Sequence, residues 1–270
     1  MPDVTALSSG FDDGYIAKFV TTYNETNAVS ARNSTSGTFD SQTSTVLVVA
    51  HGNIFNRAYN WRSFVAFDMS GNDDDGSSIS GNTVTSANLV LQAFANLSGF
   101  VSYTAETDEK IILVKATAST NFDGTNKYND IDGWVSSGTY DGNVTEYGEA
   151  TQAAGGAMSF TLNSTAIADI NSAISSGGTV KIGMLTEDDF LERTGTGDGL
   201  GEANASANDQ LGVRFRSTED STASNRPKLE LTYGAAAAGF GHATIGVASA
   251  NIGKIIGVAT ADIGKVIGVD

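Results

Sequence analysis

"GVRFRSTEDSTASNRPKLELTY", residues 212–233, holds two runs of the same kind. Val213 and Phe215 alternate with Arg214 and Arg216, and Leu229, Leu231 and Tyr233 alternate with Glu230 and Thr232. Successive side chains of a strand point to opposite faces, so a period of two sets an apolar face against a polar one. Both runs therefore read as half-buried strands.

The pattern recurs outward along the chain. Strand-like runs occur at "TVLVVA" (45–50), "RSFVAFDM" (62–69), "SANLVLQAFA" (86–95), "KIILVKATA" (110–118), "MSFTLN" (158–163) and "TVKIGMLT" (179–186). Leu89 and Leu91 share a face. Between the runs lie clusters such as "SGNDDDGSSISGN", "NFDGTNKYNDIDG" and "GTGDGLGEANASAND", whose Asn, Asp and Gly supply turn geometry. Many short strands with such punctuation predict an all-β fold, an antiparallel sandwich. One short helix is expected in "NSTAIADINSAISSGG", capped by Ser164 or Thr165 and ended by Gly177 or Gly178. Its Ile167, Ile170 and Ile174 share a face that would plug one end of the sandwich. "YGAAAAGFG" (233–241) then breaks the pattern. The expected organisation is a sandwich over 1–233, an Ala/Gly linker over 234–244 and an arm over 245–270.

Three segments resemble the DNRLRE-type domain: "RAYNWRSFVAFDMSG" (57–71), "ISGNTVTSANLVLQAF" (79–94) and "VRFRSTEDSTASNRPKLELTY" (213–233). "FTLNSTAIADINSAISSGGTVKIGML" (160–185) is similar to the same family's late strand, helix and strand. The likeness spans Phe11 to Tyr233. It implies a jelly-roll β-sandwich related to carbohydrate-binding modules.

Composition narrows the partners. The net charge is −16 and the 15 Lys and Arg residues are scattered, so a phosphate-binding surface is not expected, and neither nucleic acid nor an anionic membrane is an expected partner. Cysteine is absent, which removes disulfides and thiolate chemistry. "MPDVTALSSGFDDGYIAKF" lacks the basic and apolar regions of a signal peptide, so synthesis in a cytoplasm is expected. Asn251, Lys254, Asp262 and Lys265 interrupt the apolar arm, which is not a membrane span.

No catalytic residues are expected. The chain has His51 and His242 only, one at a strand end and one in the linker, and no nucleophile elbow, P-loop or zinc-protease motif. Glu187, Asp188 and Asp189 in "TEDDFLER" read as a solvated acidic loop. Candidate calcium ligands are Asp123, Asn126, Asp130 and Asp132, with Asp73, Asp74 and Asp75 as a second group. Neither fits EF-hand spacing, and turn chemistry alone also accounts for both loops. Tyr59, Trp61 and Trp134 are candidate glycan contacts; burial in the core is the alternative.

The chain closes on "IGVASANIGKIIGVATADIGKVIGVD" (245–270), an eleven-residue repeat. Its glycines and β-branched residues oppose a helix and favour extended chain. An odd period turns successive repeats to opposite faces unless both faces are covered or Gly253 and Gly264 reset the strand. Ile245, Val247, Ile252, Ile256, Val258, Ile263, Ile267 and Val269 would supply buried contacts to other chains. The repeat resembles those ending marine phage structural proteins. The expected function is thus a non-enzymatic virion structural protein of a phage, a capsid decoration or fibre component on the virion surface. Its expected partners are other virion subunits and itself, as a homo-oligomer such as a trimer. The alternative is a carbohydrate-binding adhesin module that contacts host surface glycan.

Overall fold

The computed structural model describes residues 3–5, 13–41, 43–94, 102–104, 110–117, 125–151, 155–193, 209–235, 254–255 and 258–259. In the first half the chain forms β1 (Asp3–Thr5), β2 (Asp13–Thr21), α1 (Glu25–Arg32), β3 (Phe39–Ser41), β4 (Val46–Ile54), β5 (Arg57–Asp68), β6 (Asn82–Ala93), β7 (Ser102–Thr104) and β8 (Lys110–Lys115). The second half adds β9 (Glu146–Thr151), β10 (Gly156–Thr161), α2 (Ser164–Ser176), β11 (Thr179–Thr186), α3 (Glu187–Leu191), β12 (Asp209–Arg216) and β13 (Lys228–Ala235). A separate pair, β14 (Lys254–Ile255) and β15 (Val258–Ala259), follows. Every run read as a strand overlaps one.

Thirteen strands form one hydrogen-bonded sheet system, with the path β1-β13-β6-β12-β4-β5-β11-β8-β9. All pairings are antiparallel except that of β7 with β12. β5 is the hub: β2 pairs along Arg57–Val65, β4 along Arg57–Trp61 and β11 along Ser63–Asp68. Side chains of β6, β10, β12 and β13 meet those of β5, β8 and β11 in one apolar cluster. The fold is therefore mostly antiparallel all-β, of the sandwich or barrel-like kind.

The alternation in the quoted segment is the cause of this burial. Val213, Phe215, Leu229 and Leu231 are buried, whereas Arg214, Arg216 and Glu230 keep partial exposure. Phe215 meets Phe160 edge to face, at a centroid distance of 6.4 Å. α2 packs Ala166, Ile170, Ala173 and Ile174 into the same cluster, with Ile167 partly buried against it. Asn163, one residue before the expected cap, accepts from Ala166 N at 3.0 Å, and Gly177 ends the helix in a left-handed conformation. Asn171 clasps the β6 backbone, accepting from Val84 N at 2.7 Å and donating to Val84 O at 2.9 Å.

The described residues contain three α-helices rather than the single one expected. α1 is capped by Asn24, which accepts from Asn27 N at 2.9 Å, and it covers Ala58 of β5 with Ala28. α3 begins where the acidic segment was read as solvated loop. None of the described helices is long and apolar enough to cross a membrane.

β12 approaches β4 closely at Gly212, where φ is 146°. A Cβ there would lie 2.2 Å from Val49 O and 2.5 Å from Ala50 Cα. Gly212→Ala should therefore lower stability by roughly 2 kcal/mol or more, seen as a reduced melting temperature.

Candidate functional site

Alternation along β5 sends Asn60, Arg62, Phe64 and Ala66 to the face away from Tyr59 and Trp61. In a half-exposed sheet Arg62 would reach water. Here α1, α3 and the 125–145 segment cover that face, and Arg62 is 0% exposed. A buried guanidinium keeps its charge, so its donors must all be met. Its Nε and Nη2 donate to the two carboxylate oxygens of Asp189 at 2.7 and 2.8 Å. Nη2 also donates to Arg32 O at 3.0 Å and to the Tyr140 hydroxyl at 2.8 Å, and Nη1 donates to Tyr128 O at 3.1 Å.

Asp189 reaches this position through a local signal. Thr186 ends β11 and caps α3, accepting from Asp189 N at 3.2 Å, with Glu187, Asp188 and Asp189 in the first turn. Burial alone would raise the Asp189 carboxyl; the charge and hydrogen bonds of Arg62, with Arg32, outweigh it and hold the group below the usual carboxylate range. Arg32 donates from Nε to Asp189 O at 2.7 Å and from Nη1 to Glu192 Oε2 at 2.6 Å. Glu192 adopts a left-handed φ of 51° at the end of α3, and the same oxygen accepts from Gly138 N at 2.7 Å. The guanidinium of Arg32 lies 3.8 Å from the Tyr140 ring centroid, and that of Arg62 lies 4.2 Å from the Tyr128 centroid.

His51 lies inside β4, not at a strand end, and is 1% exposed. Its Nδ1 is 3.3 Å from Thr186 Oγ1, and its Nε2 is 3.4 Å from Asp188 Oδ2. A hydroxyl, an imidazole and a carboxylate thus stand in a row, and at 0%, 1% and 1% exposure all three are covered from solvent. Burial holds the imidazole down at about 4, against the pull of Asp189. The solvated-loop reading of the acidic segment is corrected for Asp188 and Asp189, which are 1% and 0% exposed.

The remaining candidates are dispersed. Tyr59 and Trp61 do share a face, stacked at 4.7 Å, but at 9% and 4% exposure they are core residues with no open platform. Trp134 packs in a different cluster, and its Nε1 donates to the Tyr140 hydroxyl at 3.0 Å. Among the calcium candidates, Asp130 pairs with Lys127 at 3.5 Å and Asp132 accepts from Thr145 Oγ1 at 2.5 Å. Asn126 sits in a short 3-10 turn, and Asp123 lies outside the described residues. Asp73 accepts from the Tyr233 hydroxyl at 2.7 Å and from the amides of Ser77 and Asp75 at 2.8 and 3.1 Å, as a turn-organising carboxylate does. Among the described residues no cluster of three or more His, Asp or Glu could hold a metal ion. Of the arm residues, only Val258 is described, by its backbone; Ile245, Val247, Ile252, Ile256, Ile263, Ile267 and Val269 lie outside the described residues.

One concave feature is assembled from segments distant in sequence. A cleft of about 320 Å³ opens between α2 and the ends of β8 and β11, lined by Lys115, Ala116, Tyr147, Asp169, Ser172 and Val180 among others. The Tyr147 hydroxyl donates to Asp169 Oδ2 at 2.6 Å, and Lys115 Nζ lies 2.9 Å from the same oxygen. Burial would raise the Asp169 carboxyl, but Tyr147 and Lys115 hold it below its ordinary value. Its lining is mainly polar, with Lys115, Lys181, Asp169, Ser172 and Thr179 around Ala116, Ala173 and Val180.

Two measurements check the buried network. Asp189→Ala leaves Arg62 without its counter-charge and should cost roughly 3–5 kcal/mol in chemical denaturation. For His51, the unfolded chain takes up a proton near 6.5 and the folded chain only near 4. Between those values the unfolded state binds more protons, so stability should fall as pH drops through that window, by on the order of 3 kcal/mol. His51→Gln should flatten the curve across the same range.

Neither a protein-family model nor a curated protein sequence matches this chain, so the reading of its site rests on its own residues.

Proposed function

We propose that the chain is a non-enzymatic structural protein of a phage virion, a capsid decoration or fibre component. In this reading a jelly-roll sandwich is displayed on the virion surface and the arm of residues 245–270 joins it to neighbouring subunits. The observation that carries the reading is the strand pair β14–β15, which stands apart from the thirteen-stranded sheet. Lys254 pairs with Ala259 and Ile255 with Val258.

This pair falls at a repeat junction. Lys254 and Ile255 close the first copy of the repeat, and Val258 and Ala259 belong to the second. A reversal at the junction is another answer to the odd period, in place of a bulge at Gly253 or Gly264. A two-stranded sheet is marginal alone in water and exposes two unpaired edges. Strands from a second copy of the arm would complete those edges and cover the Ile and Val side chains. The full burial of Thr186, His51 and Asp188 agrees with a non-catalytic role. The core position of Tyr59 and Trp61 removes the main support for the carbohydrate-binding alternative.

The test compares the full chain with one lacking residues 240–270. The full chain should sediment as an oligomer. The shortened chain should keep its circular dichroism and melting transition yet sediment as a monomer. Equal oligomers from both chains would remove the arm from assembly.

A further inference from the structure

β4 and β5 carry a polar patch inside the molecule whose hydrogen bonds are incomplete. Antiparallel pairing sets His51 opposite Asn60 and Asn53 opposite Ala58. Residues paired across two strands share a face, and diagonal neighbours on that face lie within reach of each other's side chains. His51, Asn53 and Asn60 therefore form one patch, at 1%, 4% and 1% exposure. Its fourth member, Ala58, is buried under α1, where Ala28 packs on it, so short side chains border the patch on that side. Among the described residues, His51 Nε2, Asn53 Oδ1 and Asn60 Oδ1 meet no hydrogen-bond partner. Buried polar atoms are paired almost without exception, with protein or with ordered water, so three orphans on one patch call for a shared partner.

The surrounding bonds fix what each of the three atoms can do. The Tyr128 hydroxyl donates to Ala31 O at 3.2 Å, so it accepts from Asn60 Nδ2 at 2.9 Å. That sets the orientation of the Asn60 amide and leaves its Oδ1 an acceptor. Asn53 Oδ1 is a second acceptor. Thr186 Oγ1 accepts from Asp189 N at 3.2 Å, and its own proton can go to His51 Nδ1 at 3.3 Å. A neutral imidazole that accepts at Nδ1 carries its proton on Nε2. Asp188 Oδ2 favours the same tautomer, attracting that proton from 3.4 Å without closing a hydrogen bond to Nε2. The patch thus presents one donor and two acceptors.

We propose that an ordered water molecule is sealed into this patch, accepting from His51 Nε2 and donating to Asn53 Oδ1 and Asn60 Oδ1. One water closes all three bonds, and three is the usual number for a buried water. A metal cation does not suit the patch, because Nε2 holds a proton, and an anion does not suit two amide oxygens. The water ties β4 to β5 and, through His51 and Thr186, to the start of α3. It also joins the ionic site, since the Asn60 side chain hydrogen-bonds Asp189. Arg62 and Asp189 then sit at one end of a hydrated polar seam.

The experiment is a crystal structure of the full chain at a resolution that shows ordered solvent. A density peak should lie about 2.7–3.2 Å from all three atoms, cut off from bulk water. Nitrogen-15 spectra of the histidine side chains should report the Nε2–H tautomer for His51. Asn53→Leu removes one acceptor at nearly constant volume. It should lower the melting temperature by roughly 3 °C or more, because the water then keeps an unmet proton. A dry patch predicts the opposite sign, since the same substitution would relieve an unpaired oxygen. The absence of density among the three atoms, an Nδ1–H tautomer, or a melting temperature that holds or rises in Asn53→Leu would each overturn the site. The crystal and the tautomer decide the matter if Asn53→Leu does not fold.

Discussion

The buried pair of Arg62 and Asp189 sets the terms for one whole side of the molecule. An arginine cannot shed its charge to suit an apolar interior, so the interior has to be arranged around it. The bidentate contact with Asp189 answers the charge, and the remaining donors are answered by the carbonyls of Arg32 and Tyr128 and the hydroxyl of Tyr140. Those acceptors come from α1, from the 125–145 segment and from the turn of α3, so three pieces distant in sequence are positioned by one side chain. Ion pairs of this kind add less to net stability than their geometry suggests, because desolvation consumes most of the attraction. Their effect is on uniqueness: a shifted α1 or α3 leaves a charge or a donor unmet.

The other side of the sheet is held by different physics. The cluster shared by β5, β6, β8, β10, β11, β12 and β13 is apolar and closed by α2, with Asn171 satisfying the β6 backbone at Val84. Dispersion and area burial dominate there, and they are forgiving of detail in a way that the ionic side is not. The result is a firm β domain carrying two features that its own core does not need. One is Phe55, exposed and held in a left-handed conformation. The other is the repeat arm, whose paired residues stand apart from the main sheet.

Much of this was legible in order of residues. β6, β10, β12 and β13 were visible because each sets one face on the apolar core, which enforces a period of two, whereas β4, β5 and β8, covered on both faces, were visible as apolar runs; α2 was visible because Ile167, Ile170 and Ile174 recur at helical spacing between a cap and a glycine. α1 left a weaker trace, since it buries only Ala28, Ala31 and Arg32, and an arginine carries no apolar signal. α3 had a readable start, Thr186 followed by three acids, but so many carboxylates in a row resemble solvated loop. Tyr59 and Trp61 were correctly paired on one face, yet nothing in their spacing says whether that face is open or covered. The cleft gave no signal at all, because its walls come from β8, α2 and β11, and no one segment carries its chemistry.

The sequence by itself determined the class of fold, most strand positions, the α2 helix and the presence of a repeat arm, because each of these follows from local periodicity and turn chemistry. The tertiary structure alone decided which faces were doubly covered. That choice put Arg62, Asp189, His51 and Asp188 in the interior, and it turned Tyr59 and Trp61 from candidate platform into core. Burial is a property of what packs above a residue, and the covering elements lie up to 160 positions away, as Arg32 and Glu192 do. A period records which residues share a face; only the fold records what that face meets.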